Sequence, residues 1–164
     1  MRKQKGFSLI ELLIVVAIIL IIAAIAIPNL LRARIAANES AAASGVRTIN
    51  TAEVSYNSAY PATGYSSLLA DLGPGAGACP APPVLTTSCF IDSVLAAGVK
   101  GGYTYVYVKT ASAGINTGYQ VTAKPTTPNS TGNKAFCSFE DAVVRFDGTN
   151  ALAAGTCTGA VTPI

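Results

Sequence analysis

The sequence predicts an α+β protein in which a long N-terminal helix packs on an antiparallel sheet of three or four strands. Three observations predict it. The stretch Leu12–Ile27 contains no polar side chain, the next thirty residues carry an amphipathic helical pattern, and short alternating segments follow from Tyr103 onward. A period near 3.6 residues is typical of helices and a period of two is typical of strands, so helix precedes sheet in the chain.

The composition excludes several classes of function. The chain is 51% hydrophobic and 12% charged, and its 11 Lys and Arg against 8 Asp and Glu leave a net charge of +3. It has no His, so a Ser-His-Asp triad, a Cys-His pair and imidazole metal ligands are excluded. We therefore predict that the protein is not an enzyme and takes no cofactor. We also predict that it does not bind nucleic acid, because three of its basic residues lie in the first six positions and the rest of the chain is neutral.

The first apolar run has the length of a membrane-spanning helix. From Phe7 to Ile27 only Ser8 and Glu11 interrupt it, which matches the roughly 20 residues that cross a bilayer. The basic residues before it belong on the cytoplasmic side. We therefore expect a single pass through a membrane with the rest of the chain outside the cytoplasm, although Arg32 and Arg34 weaken the charge asymmetry.

An ordinary signal peptide is the simpler interpretation of this start. Ala24-Ile25-Ala26 fits an A-x-A cleavage site, and the product would be a secreted or membrane-anchored binding domain. Glu11 argues against it, because an ionisable group inside a membrane segment is costly and neither a signal peptide nor a plain anchor requires one.

The motif Gly6-Phe7-Ser8-Leu9-Ile10-Glu11, followed by an apolar helix, resembles the class III signal of type IV prepilins and type II secretion pseudopilins. The resemblance implies a pilin fold and cleavage between Gly6 and Phe7 by a prepilin peptidase. It also implies methylation of the new amino group of Phe7 by the same peptidase/methyltransferase. The leader is removed and the apolar segment stays.

The resemblance also implies what the protein binds. The processed subunit would lie in the lipid bilayer, be taken up by inner-membrane assembly machinery and polymerise with itself into a helical filament. Glu11 would face the Phe7 amine of a neighbouring subunit, since a buried charge is tolerated only with a partner. An intrachain pair is the alternative, because the two residues are one helical turn apart. Pro28 is present, but Leu20 stands where many relatives have a helix-weakening Gly.

The amphipathic half of the helix presents one apolar stripe. Arg32, Asn38, Glu39 and Asn50 are predicted elsewhere on the surface. The helix should end before Pro61, because a proline disfavours helix at the preceding residue. The predicted segments are a leader 1–6, a hydrophobic helix 7–28, an amphipathic helix 29–60 and a globular head 61–164. The stripe consists of Leu31, Ile35, Ala42, Val46, Ile49, Tyr56 and Tyr60.

The head divides into a loop region 61–99 and a sheet at about 103–147. The loop region is rich in Gly and Pro, its glycine run lacks the Lys-Ser/Thr of a phosphate loop, and a short helix is expected at Ile91–Ala97. The connectors Ala111–Gly118 and Pro125–Asn133 are expected to be loops. One sheet face should pack on the helix and the other should be wetter. The predicted strands are Tyr103–Lys109, Tyr119–Lys124, Ala135–Phe139 and Ala142–Phe146.

Four cysteines lie in the exported part, which predicts two disulfides. Three pairings are possible. We favour Cys79 with Cys89 and Cys137 with Cys157, because short loops require no topology beyond neighbouring segments. A zinc site is disfavoured, since no C-x-x-C pair occurs.

Oxygen-bearing side chains near the C-terminus form a possible calcium site, as in major pseudopilins. Their spacing matches no calcium loop, so we interpret them as turn residues and predict no metal. They are Glu140, Asp141, Asp147 and Asn150.

The sequence thus favours a filament subunit of a type IV pilus, which would finally be located on the cell surface. A major pseudopilin in a periplasmic pseudopilus is the second hypothesis. A secreted or anchored binding domain is the third.

Overall fold

A computed structural model describes residues 8–75, 77, 79–157 and 161–164. The predicted leader, the cleavage between Gly6 and Phe7 and the methylated Phe7 lie outside the described residues. The chain forms two compact units, one up to Arg34 and one over Ile35–Ile164, and each is described by itself.

The helix α1 runs over Leu9–Ala59 with Pro28 inside it. The helix ends at Ala59, one residue before the predicted end at Tyr60. The amide of Tyr60 still donates to the carbonyl of Tyr56 at 2.8 Å. Proline lacks the N–H that would bond the carbonyl four residues back, here that of Ala24. The flanking turns stay helical, consistent with a strong helix former at Leu20.

The sheet is a six-stranded antiparallel meander with its strands in chain order. Three or four strands were expected. The additional edge strands β1 and β6 have two residues each, too few for an alternation to be recognised. The strands are β1 Val99–Lys100, β2 Tyr103–Ser112, β3 Ile115–Pro125, β4 Ala135–Phe139, β5 Arg145–Asp147 and β6 Thr162–Pro163.

The prediction of a loop over Ala111–Gly118 is wrong. β2 and β3 pair as far as Ser112 and Ile115, because Ala113 and Gly114 both adopt positive φ, of 51° and 84°. Two left-handed residues make the tight turn whose twist matches a hairpin. The composition of this stretch suggested a loop, but the pairing with β2 decides its conformation.

The strand predicted at Ala142–Phe146 begins later, at Arg145. Ala142 has a φ of 57°, and its amide donates to the carbonyl of Phe139 at 2.8 Å. A residue in the left-handed region belongs to a turn rather than to extended backbone. Ala142 is therefore part of the turn between β4 and β5.

The core of the larger unit lies between α1 and one face of the sheet. Of the predicted stripe, Ala42, Val46, Ile49 and Tyr56 are buried there, whereas Leu31 is exposed. Facing them are the aromatic and aliphatic residues of β2, β3 and β4, including Tyr103, Tyr105, Tyr119, Val121 and Phe136.

The opposite face of the sheet was expected to be more exposed to solvent, but part of it is buried. Cys137 of β4 is buried there with Ala135, Leu152 and Cys157 in a second, smaller cluster. The segment after β5 supplies the cover, although its small and polar residues gave no periodic signal.

The loop region contains a 3-10 helix, Leu69–Leu72, and α2, Ser93–Ala96. The second lies within the expected helix at Ile91–Ala97. Asp92 caps α2 by accepting hydrogen bonds from the amides of Val94 and Leu95 at 3.1 and 3.0 Å, as an N-cap carboxylate commonly does.

Candidate functional site

The N-terminal part of α1 exposes a continuous apolar surface. The large apolar side chains from Leu9 to Leu31 are between 46% and 79% exposed. Over the described residues this is the one helix long and apolar enough to cross a membrane, with a mean hydropathy of 3.3 in its most apolar window. A surface of this kind marks contact with a bilayer or with other proteins.

Glu11 caps the start of this helix. The backbone N–H of Ser8 donates to Glu11 Oε2 at 3.0 Å, and Ser8-Leu9-Ile10-Glu11 has the spacing of a capping box. A carboxylate in the first turn is also favoured by the helix dipole. Glu11 therefore has a local structural role as well as its charge, and the sequence argument considered only the charge. The partner proposed for that charge, the Phe7 amine, lies outside the described residues.

The cysteines are paired locally in the structure. Cys79 joins Cys89 with their Cα atoms 5.9 Å apart, and Cys137 joins Cys157 at 5.5 Å. Both separations suit a disulfide. The first pair closes a largely exposed loop. The second ties β4 to the C-terminal segment inside the smaller cluster.

Asp147 of the possible calcium set serves its own loop. Its Oδ1 accepts from the amide and the hydroxyl of Thr149 at 2.8 and 2.6 Å. Its Oδ2 accepts from the amides of Ala151 and Leu152 at 2.7 and 3.1 Å. These hydrogen bonds, those from Thr149 foremost, lower the pKa of Asp147. The carboxylate organises the segment that covers the second sheet face.

The other members of that set are not brought together around a cation. Asp141 forms an ion pair with Arg145, which lowers the pKa of Asp141. Glu140 is exposed on the turn between β4 and β5. In the described part of the chain, no three His, Cys, Asp or Glu side chains cluster as metal ligands.

Asn50 was predicted on the surface and is instead 4% exposed. Its Nδ2 donates to Ser138 Oγ at 2.9 Å and to the carbonyl of Ala142 at 3.0 Å, and its Oδ1 accepts from the Tyr119 hydroxyl at 3.0 Å. The side chain joins the helix to the β4–β5 turn. A polar residue can be buried when all its groups are bonded, which polarity in the sequence does not reveal.

Glu53 is a buried group that the sequence reasoning missed. It has no exposed surface and lies four residues after Ile49 and three before Tyr56, on the buried stripe. That spacing indicated a buried position, but Glu53 was not assigned to the stripe because a charged residue is usually exposed.

The start of the chain matches a family of known N-terminal segments. The matching family model is described as the prokaryotic N-terminal methylation motif, and it covers residues 1–27. The match covers the segment that carries the resemblance noted in the sequence, and it agrees with that resemblance.

Parts of the chain are similar to parts of three characterised proteins. The chain is 68% identical over 40 residues to the type IV wide pilus major component PilA4 of Thermus thermophilus, covering 24% of this chain and 30% of that protein. It is 46% identical over 54 residues to the type IV major pilin protein PilA of Myxococcus xanthus, covering 33% and 24%. It is 39% identical over 66 residues to the type II secretion system core protein G of Vibrio cholerae, covering 38% and 45%.

The chain thus spans less than half the length of each of these relatives. No solved structure matches it.

Proposed function

We propose that this protein is a structural subunit of a type IV pilus or pilus-like filament, processed by a prepilin peptidase and polymerised through its N-terminal helix. The observation that carries the proposal is the exposed apolar surface of Leu9–Leu31, most of which lies within the methylation motif over residues 1–27. The leader 1–6 would be removed, 7–28 would hold the subunit in the membrane and then in the filament, and 29–60 would support the head 61–164.

Assembly follows from the chemistry of this surface. In the bilayer the Leu, Ile and Val side chains contact lipid, and in a filament they contact the same side chains of neighbouring helices. Both surroundings are apolar, so van der Waals packing and polar pairs decide the outcome rather than the hydrophobic effect. A contact that joins two different surfaces and does not close generates an open helical polymer.

Glu11 supplies the polar pair in this proposal. Cleavage before Phe7 would create an amine one helical turn away, and the Glu11 carboxylate would meet the amine of a neighbouring copy in the filament core. A pair of opposite charges is tolerated in an apolar core, whereas either charge alone is strongly penalised. The pair would set the axial register of the copies.

A major pseudopilin is the second candidate, supported by the similarity to the Vibrio cholerae secretion protein. A requirement for calcium near the C-terminus would favour it. The pilus is favoured by the disulfide Cys137–Cys157 and by Asp147, whose oxygens are occupied by its own loop. The partners are accordingly other copies, the peptidase/methyltransferase, the inner-membrane assembly machinery and, before assembly, lipid. The head would lie in the periplasm and finally on the cell surface.

The proposal is tested by the N-terminus of the mature protein. Expression with a prepilin peptidase should give a chain that starts at methylated Phe7 and forms filaments visible by electron microscopy. Gly6→Trp should keep the mass of the precursor, because the peptidase must approach this backbone closely, and Gly6→Ala is the matched small substitution. A mature chain that starts at Ile27, after Ala24-Ile25-Ala26, would show ordinary secretion and overturn the proposal.

A further inference from the structure

The charged side chains of the larger unit are almost all paired within the chain. The described residues from Ile35 onward hold three ion pairs: Lys100 with Asp92, Lys134 with Glu39 and Arg145 with Asp141. The other engaged charges bond to polar groups: Lys109 to Ser67 Oγ, Lys124 to the Leu152 carbonyl, Glu53 to Ser66, Asp71 to the Leu68 amide and Asp147 to its own loop.

Two charges are left over in that part of the chain. Among its described residues, Arg47 and Glu140 are the one cation and the one anion whose side chains make no hydrogen bond or ion pair. Both residues are exposed. A contact between two copies that is complementary in charge needs one group of each sign, and these two residues supply them.

Arg47 lies in a groove. The groove has a volume of about 390 Å³ and is lined by Arg47, Asn50, Thr51, Val54 and Ala142, so it follows the outer side of α1 beside the β4–β5 turn. Val54 is 56% exposed, which gives the groove an apolar wall next to its cation. An apolar wall beside a charge strengthens an ion pair by limiting its contact with water.

Glu140 lies on the β4–β5 turn and borders a groove of the opposite sheet face. It lines a second groove with Gln120, Phe139 and Cys157. Gln120 alternates along β3 with Tyr119 and Val121, which face the helix, and it accepts a hydrogen bond from the amide of Cys157 in the cover of the opposite face. Glu140 and Arg47 therefore border two different grooves, one at each side of the β4–β5 turn.

We propose that Arg47 of one copy receives Glu140 of a second copy, and this inference rests on the proposed polymerisation. The contact joins two differently lined grooves of the head. In the proposed helical polymer such a contact is heterologous and repeats without closing. It would add a contact between heads to the contacts between apolar helices. It would also set the orientation of successive heads.

The test exchanges the charges in the full chain, and the readout is the amount of filament sheared from cells relative to processed subunit. Arg47→Glu and Glu140→Arg should each lower it roughly fivefold, the upper end for an exposed ion pair. Lys109→Glu, an equal charge change at another exposed site, should leave it unchanged.

Co-expression of the two single variants decides between contacts within and between copies. Each variant alone places like charges at the contact, whereas alternating variants place opposite charges there in both directions. Co-expression should therefore restore the yield, and so should the double variant. Rescue by the double variant alone would indicate a pair within one chain and overturn the inference.

Other results overturn it as well. Equal yields from all variants, or rescue of Glu140→Arg by Arg34→Glu rather than by Arg47→Glu, would remove the Arg47 contact and leave the proposed function standing. Absence of filaments from the unaltered protein would instead remove the proposed function, and the inference with it.

Discussion

Glu53 accepts two hydrogen bonds from Ser66, one from the backbone N–H at 3.0 Å and one from the hydroxyl at 2.5 Å. The carboxyl is fully buried between α1 and the loop that follows it. Burial raises the pKa of Glu53 above its ordinary value of 4.5, the Ser66 hydrogen bonds oppose this, and nearby Asp71 adds to it. The groups facing it are thus the Ser66 amide, the hydroxyls of Ser66 and Tyr107, and the Asp71 carboxyl.

Glu53→Gln should change how stability depends on pH. A raised pKa in the folded state means that the folded chain binds more protons than the unfolded chain, so stability is full below the unfolded pKa and falls as pH rises towards the folded pKa. In that window the unaltered protein should lose about 1.4 kcal/mol per pH unit relative to the variant. Urea unfolding of the fragment Asn29–Ile164 at several pH values between about 4 and 8, on either side of the ordinary carboxyl range, measures it.

Ser66→Ala is the matched variant for that measurement. It removes the hydroxyl that bonds the charged carboxylate, so it should raise the pKa of Glu53 further and cost about 1.5–3 kcal/mol at neutral pH, with a smaller loss in acid. If the free energies of unfolding of the unaltered protein and of Glu53→Gln differ by the same amount at every pH, the buried titration is contradicted.

Glu11→Leu should be cleaved and inserted but should not assemble, because the segment becomes more apolar while its charge is lost. Glu11→Gln separates the two roles of the residue. It keeps an oxygen for the Ser8 N–H, as a capping box allows, yet carries no charge. Filament yield should be low for both variants. Normal yield for Glu11→Gln would assign the role of Glu11 to capping and remove the charge-pair argument.

Peptide mapping without reduction should show Cys79 linked to Cys89 and Cys137 linked to Cys157. Each bridge should stabilise the head by roughly 2–4 kcal/mol. Cys79 is exposed whereas Cys137 and Cys157 are buried, so a mild reductant should open the first bridge before the second in the folded protein. Four free thiols in exported protein, or a crossed pairing, would contradict this.

The fragment Asn29–Ile164 should fold and remain monomeric without detergent, because the exposed apolar run is removed and the core between α1 and the sheet is kept. A domain of this size buries roughly two thirds of its unfolded surface. Sedimentation and a thermal melt measure both properties. An unfolded fragment, or one that still forms filaments, would show that the head is not autonomous.

Patterns formed by neighbouring residues were sufficient to predict several structural features of this protein. The apolar run, the helix end at Pro61 and the alternation of Tyr103, Tyr105 and Tyr107 each depend on neighbouring residues alone. The methylation motif is equally local, since it is made of neighbouring residues. These features are therefore readable without a structure.

Other features, such as which polar residues are buried, were decided by contacts between segments that are separated in the sequence. Asn50 can be buried because Ser138, 88 residues away, bonds to it, and Glu53 can be buried because Ser66, 13 residues away, bonds to it. No helical or strand periodicity encodes those partners. The β2–β3 hairpin likewise extends through a loop-like composition because pairing stabilises it. The placement of Arg47 and Glu140 in two different grooves is also a product of tertiary structure, since each groove is lined by segments that meet only in the fold.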